Sequence, residues 1–365
     1  MTSNFRDFTS SRILSRSAYL PGHQPEVNQN LIKLNTNENP FPPSPKVADA
    51  VLGEVGNLHL YPEPYSRKLR KLIAETNNVS EEQIIIGNGS DDLLNLCVRS
   101  FSDNTRSVGM LEPSYSLYPT LASLQDSKLL KVGFNDDEFN LPSIDIINSG
   151  VNLFFLTNPH APSGRLFSQS AIFSIASQID ALLVVDEAYV DFAGESSISV
   201  LSSCENVLIS RTFSKSYSLA GSRVGLAISS PEIISVLDSV REVYNVDRLA
   251  QAAAYASLSD VEYFDNCRVK ILSERNRAYK FFTDLGWRTI DSHANFIFTE
   301  PVDAFGQVGK KVAQSLYNFL KKNNIFTRYF PNHHLTESKI RISIGREEHM
   351  RILYKNINTW RNEEC

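Results

Sequence analysis

The chain has 365 residues, 42% of them hydrophobic and 21% charged, and a formal net charge of −5. That length exceeds what one core usually serves and predicts two domains of ordinary globular composition. The negative balance argues against a protein that coats nucleic acid or an anionic membrane, so an anionic ligand needs locally placed Arg or Lys. Cys97, Cys204, Cys267 and Cys365 form no C-x-x-C pair and have no histidine cluster beside them, which predicts neither a metal site nor a disulfide framework and fits a reducing compartment. No apolar segment of signal-peptide type follows Met1, and the longest apolar runs, such as 181–185, are too short to span a bilayer. The expectation is a cytoplasmic protein.

In chain order, the first forty-five residues are polar and end in Pro40, Pro42, Pro43 and Pro45, which predicts an extended arm. Ser66 is placed to cap a helix carrying Leu69, Leu72 and Ile73 on one side. A repeating unit follows: an apolar run, an abrupt polar exit, then a helical pattern. Residues 84–86 exit into Gly87-Asn88-Gly89-Ser90, and 107–111 into Glu112-Pro113-Ser114-Tyr115. Residues 151–156 exit into Thr157-Asn158-Pro159, 181–185 into Asp186-Glu187, and 207–209 into the stretch ending at Lys215. Runs apolar at nearly every position are strands buried on both faces, which predicts a mainly parallel sheet covered by helices. After about residue 250 the pattern changes. Asn295-Phe296-Ile297-Phe298 and Ile340-Arg341-Ile342-Ser343-Ile344 alternate like half-exposed strands of a smaller α+β unit. The expected division is an arm over 1–36 belonging to the small domain, a large domain over 37–250, and a small domain over 251–365.

In open α/β sheets a ligand sits outside the carboxyl ends of the strands. Here those ends deliver amide, carboxylate, phenol, hydroxyl and amine groups. A lysine after a buried strand is ordinarily a solvated residue, but Lys215 is preceded by Thr212 and Ser214 and followed by Leu219-Ala220-Gly221-Ser222-Arg223. Hydroxyls with an arginine make a phosphate cradle, and a lysine beside a bound phosphate suits imine formation with a phosphorylated aldehyde. Asp186, at the end of an apolar run, calls for a cation; a pair at about 4 Å is worth on the order of 4 kcal/mol at an effective dielectric near 20. A protonated pyridine nitrogen is such a cation. Tyr189 and Asn158 are then placed to reach the oxygen of the same ring. Gly87-Asn88-Gly89-Ser90-Asp91 opens a helix where a phosphate can approach free backbone N–H groups.

With these residues in place, the chain resembles the fold type I aminotransferases and, among them, the histidinol-phosphate aminotransferase family. The resemblance runs over residues 19–345. It rests on Leu34-Asn35-Thr36-Asn37-Glu38-Asn39-Pro40, Tyr61-Pro62-Glu63-Pro64, Gly87-Asn88-Gly89-Ser90-Asp91, Asn158-Pro159, Asp186-Glu187-Ala188-Tyr189, Thr212-Phe213-Ser214-Lys215, Leu219-Ala220-Gly221-Ser222-Arg223, Tyr244-Asn245-Val246 and Arg341-Ile342-Ser343-Ile344-Gly345. It implies an α/β fold with a mainly parallel seven-stranded sheet between helices, a small α+β domain, and pyridoxal 5′-phosphate as cofactor.

By the same resemblance, Lys215 carries the cofactor as a Schiff base and shuttles protons, Asp186 pairs with the pyridine nitrogen, and Tyr189 and Asn158 hold the ring oxygen. Gly89, Ser90, Asp91, Thr212, Ser214 and Arg223 surround the cofactor phosphate, and Tyr115 stacks on the ring. Tyr61 reaches the phosphate from the neighbouring subunit, which implies a homodimer. Arg341 and Arg328 anchor the anionic end of the substrate, and Tyr19 and Asn37 lie in the arm that closes over it. The implied reaction is amino transfer between histidinol phosphate and 2-oxoglutarate. Aromatic amino-acid transamination and threonine-phosphate decarboxylation use the same cofactor and remain open, as does a cofactor-sensing binding module without catalysis. The stretch His160-Ala161-Pro162-Ser163 replaces the commoner Asn, Asn, Pro, Thr, and Ser222 stands where Leu is usual. His160 reads as a local turn residue.

Overall fold

The computed structural model describes residues 5–14, 24–25 and 31–363. Strand β1 (Ile32–Lys33) comes first; β2 (Ile84–Gly87), β3 (Val108–Glu112), β4 (Leu129–Gly133), β5 (Leu153–Thr157), β6 (Leu182–Asp186), β7 (Val207–Thr212) and β8 (Gly225–Ile228) follow. The last seven form one sheet in the order β2-β8-β7-β6-β5-β3-β4. Only β8 runs against its neighbours; every other pairing is parallel. The fold is therefore α/β, with a mainly parallel seven-stranded sheet between helices. β2, β5 and β6 are buried at every position, as strands covered on both faces must be. The parallel strands end on one edge of the sheet, and Asp186 and Thr212 are the last residues of β6 and β7.

The helix Ser90–Phe101 seals one face. Its Leu93, Leu94, Leu96, Cys97 and Val98 are buried, and each leucine contributes about 1.5–3 kcal/mol by leaving water. Its first turn lies against β8 so closely that a Cβ on Gly225 would sit 2.4 Å from the Ser90 nitrogen. Any side chain there would push the helix start off the sheet edge.

A second core is built on the sheet β12-β13-β10-β9, from β9 (Arg288–Thr289), β10 (Phe296–Glu300), β12 (Arg328–Tyr329) and β13 (Ile340–Ser343). The short β11 (Ile325–Phe326) pairs with β1 in parallel, so Ile32 and Leu34 are buried in this second core together with Phe296, Ile340 and Ile342. The alternation read at 295–298 does not give half-exposed strands. Phe296, Ile297, Phe298 and Thr299 are all buried, because the helix Val261–Asp284 covers one side and Phe298 packs into the cluster containing Phe139 on the other. Ser66 also differs from expectation. It precedes the helix Arg67–Asn77 but makes no cap bond; Glu63 accepts from the Arg67 N–H instead, at 2.7 Å. Among the described residues, no helix is long and apolar enough to cross a membrane.

Candidate active site

The carboxyl ends of β5, β6 and β7 open into a cavity of about 110 Å³ lined by Asp186, Lys215, Arg223, Tyr189, Tyr115 and Ser90 among others. Asp186 is 3% exposed. It accepts the Tyr118 hydroxyl at 2.7 Å and the Ala188 N–H at 3.2 Å. Burial raises its pKa to about 6, with Asp91 and Glu187 adding to the rise and the Tyr118 and Ala188 donors opposing it. A carboxylate enclosed in this way is poised to take a cation.

Opposite the carboxylate is a cradle for an anion. The helix Ser90–Phe101 presents its first-turn N–H groups, which no helix bonds internally. Gly89 has φ 82°, and a Cβ there would come within 2.6 Å of Arg223 Nη2. Arg223 Nη2 lies 3.0 Å from Asp91 Oδ2, and Nη1 lies 3.3 Å from Ser214 Oγ. The Thr212 hydroxyl donates to Ser214 Oγ at 3.0 Å. Hydroxyls, backbone N–H groups and a guanidinium thus converge on one spot. The Tyr115 hydroxyl donates to Asp91 Oδ1 at 3.1 Å, which fixes its ring on the cavity wall. Lys215 stands between the two ends. Its ammonium donates to the Thr36 carbonyl at 3.1 Å and lies 6.0 Å from the centroid of the Tyr189 ring.

A second cavity of about 190 Å³ shares Tyr115, Tyr189 and Lys215 with the first, and Asn35, Asn37, Arg328, Phe330 and Arg341 also line it. Arg328 on β12 and Arg341 on β13 are register partners. Their guanidinium carbons lie 5.3 and 5.4 Å from the Phe330 centroid. Like charges facing each other across a ladder are unfavourable, and an anion bound between them reverses that cost.

The family described as aminotransferase class I and II matches residues 29–357. A histidinol-phosphate aminotransferase of Syntrophotalea carbinolica is 44% identical over 93% of this chain and 95% of its own. Histidinol-phosphate aminotransferase 1 of a Nostoc species is 38% identical over 97% of each. The chain belongs to the class I and II aminotransferases. Among solved structures, the histidinol-phosphate aminotransferase of Sinorhizobium meliloti in complex with pyridoxal-5′-phosphate superposes with a TM-score of 0.84 at 26% identity, covering 92% of each chain.

Most of the sequence-derived residues of this aminotransferase converge on the two cavities. Asn158 does not face the cavity. Its amide donates to the Phe167 carbonyl at 3.1 Å and accepts the Phe167 N–H at 2.8 Å, so both ends are spent on backbone. Ala161 occupies the wall instead. Asn37 lines the second cavity, and its amide donates to the Tyr189 hydroxyl at 3.0 Å. Tyr61 lies outside both cavities of its own chain, 76% exposed and stacked on Tyr244 with centroids 4.4 Å apart. Tyr19 falls outside the described residues.

His160 does open a turn, its carbonyl accepting the Gly164 N–H at 2.6 Å, but its side chain has a role that the sequence did not show. It is fully buried among Phe134, Phe139 and Phe167, with Nε2 2.9 Å from the Pro113 carbonyl and Nδ1 2.8 Å from Ser163 Oγ. Burial pushes its pKa down to about 3, so the ring is neutral; the carbonyl requires the proton on Nε2, and Ser163 donates to Nδ1. It ties the loop before Tyr115 to the loop after Asn158. Sequence reasoning missed Tyr118. An aromatic on the buried side of a helix reads as core, and only its spacing of three from Tyr115 hints at a shared site.

Proposed function

We propose that this aminotransferase exchanges the amino group between histidinol phosphate and 2-oxoglutarate, the activity by which its bacterial relatives are named, with pyridoxal 5′-phosphate as cofactor. The observation that carries the reading is the cross-strand pair Arg328 and Arg341 on the cavity that also holds Lys215. Two guanidinia suit a phosphate dianion better than a single carboxylate.

The residues fit the cofactor. The Ser90 and Asp91 N–H groups, Thr212, Ser214 and Arg223 would hold its phosphate, in the cradle that a Cβ on Gly89 would fill. Asp186 would hold the pyridinium, Tyr189 the ring oxygen and Tyr115 the ring face. When bound, the cofactor supplies an electron sink for the substrate α-carbon. Asp186 would keep the ring nitrogen protonated by offering a buried carboxylate. Lys215 would hold the cofactor at its aldehyde carbon, and its Nζ would be the group that takes and returns the α-carbon proton.

We further propose a homodimer in which the partner subunit's Tyr61 completes the phosphate end. Supporting this, Leu52, Val55, Leu58, Leu60, Tyr61 and Tyr65 are all exposed within one short stretch of chain, more apolar surface than a monomer usually leaves bare. Cys97, Cys204 and Cys267 are free thiols, which suits the cytoplasm.

The test is a steady-state comparison of amino donors with 2-oxoglutarate as acceptor. Histidinol phosphate should exceed phenylalanine in kcat/KM by roughly a hundredfold, the scale of about 3 kcal/mol of charge-assisted contacts. Equal values, or a preference for phenylalanine, would remove the substrate assignment and leave the aminotransferase.

A further inference from the structure

Tyr189 is a phenol beside Lys215, its ring centroid 6.0 Å from Nζ, and a phenol can point its proton either into the cavity or back into the protein. What surrounds it decides which. Behind it sits Asn37, buried at φ 55° and held on three sides. The Asn37 N–H donates to Ser343 Oγ at 2.9 Å, Asn295 Nδ2 donates to the Asn37 carbonyl at 2.9 Å, and Ser343 Oγ donates to Asn37 Oδ1 at 2.9 Å. One lone pair of the serine oxygen is taken by a backbone N–H, so its proton is left to give, and the nearby acceptor is Oδ1. That fixes the side-chain amide with its oxygen towards Ser343 and its NH₂ towards Tyr189. The Tyr189 oxygen accepts from Nδ2 at 3.0 Å. An oxygen that already accepts from the protein side has its own proton directed into the cavity.

We propose that Ser343, acting through Asn37, is a positioning residue that makes Tyr189 a hydrogen-bond donor towards the cofactor's ring oxygen. This rests on the reading of the site as a pyridoxal-phosphate site. Asn158 does not share that task, because its amide is bonded to Phe167 and Ala161 stands beside the cavity. The consequence is electrostatic. A donor to the ring oxygen stabilises its negative charge, so the proton on the Lys215 nitrogen of the cofactor linkage is held less tightly. Without Ser343 the Asn37 amide is free to turn its oxygen to Tyr189. The phenol then donates backwards, the ring oxygen loses its donor, and the linkage proton is held more tightly. Ser343 is also two residues from Arg341 on β13, so the strand that carries an anion-binding arginine also sets the phenol's polarity. The charged groups facing this position are Lys215, Asp186, Asp91 and Arg223 from the strand ends and helix, Arg328 and Arg341 from the small sheet, and Glu38 from the arm. A change at Ser343 alters none of them.

The experiment is a pH titration of the visible absorbance of the cofactor-loaded protein. Relative to wild type, Ser343→Ala should raise the midpoint by about one pH unit, the scale of one lost hydrogen bond to a charged group. Tyr189→Phe should set the ceiling of the rise, and Ser343→Thr, which keeps the hydroxyl, should return the midpoint to the wild-type value. A wild-type midpoint in Ser343→Ala alongside a raised one in Tyr189→Phe overturns the inference. A rise in Ser343→Thr equal to that in Ser343→Ala also overturns it, because packing and not the hydroxyl would be responsible. Absence of any visible linkage in the wild-type protein is a different failure: it removes the reading of the site itself.

Discussion

The two walls of the active site are built by different means. The strand-end wall takes Asp186 and Thr212 from the ends of the neighbouring strands β6 and β7, and Ser214 and Lys215 from the exit of β7, where an apolar run stops. The facing wall joins residues 35–37 to Arg328, Arg341 and Ser343, across 306 residues of chain between Asn37 and Ser343. The first wall inherits its geometry from a hydrogen-bonded sheet. The second depends on a two-residue strand, β1, pairing with β11, and on a few side-chain bonds. The proposed function assigns the common chemistry to the first wall and the choice of substrate to the second.

Substitutions on the two walls should therefore fail differently. The largest effect is expected at Lys215. Lys215→Ala should lower kcat by ~10⁴-fold for every amino donor, the upper end of what one positioned acid–base group contributes. A loss confined to one donor would contradict a shared strand-end wall. Next is Arg328→Ala, which should reduce kcat/KM for histidinol phosphate by roughly 30-fold or more, about 2 kcal/mol of a buried charge pair, and that for phenylalanine by only a few-fold. Equal losses would mean that the facing wall does not discriminate.

A separate effect, on stability and not on turnover, concerns Asp186 in the cofactor-free protein. Its folded pKa, about 6, lies above the ordinary aspartate range, so the folded chain holds this proton more tightly than the unfolded chain. That contribution is fully present below about pH 4 and is lost as pH rises through about 6, costing up to about 3 kcal/mol. Asp186→Asn, which never ionises, should gain thermal stability over wild type progressively between pH 4 and 7. A pH-independent difference in melting temperature would show that burial does not control this carboxylate. Adding pyridoxal phosphate should abolish the trend, because the cation now favours the charged form.

The strand-end wall was legible because its signals are local. An apolar run followed at once by Asp186, or by Thr212, Ser214 and Lys215, needs no knowledge of distant contacts. Strands β4 and β8 escaped that pattern. β4 is an edge strand with only Val132 buried, and β8 is four residues that follow the arginine loop directly. The facing wall was legible only as residue types. Arg341 stood in an alternating segment and Arg328 was marked only by the family resemblance, while their register as partners is a property of the sheet. Asn158 was misplaced for the same reason in reverse. Position after a strand end suggested the cavity, while the backbone of Phe167, nine residues on, had the stronger claim on its amide. His160 and Tyr118 show a further limit. A histidine in a glycine-containing loop and a tyrosine on an apolar helix face carry no mark of the carbonyl or the carboxylate they meet.

The central claim is that Lys215 bears the cofactor. Borohydride reduction of the pyridoxal-phosphate-loaded protein, followed by proteolysis and mass mapping, tests it most directly. One stoichiometric pyridoxyl adduct is expected, on the peptide containing Ser214-Lys215-Ser216. A stoichiometric adduct on any other lysine, or none at all, would contradict it.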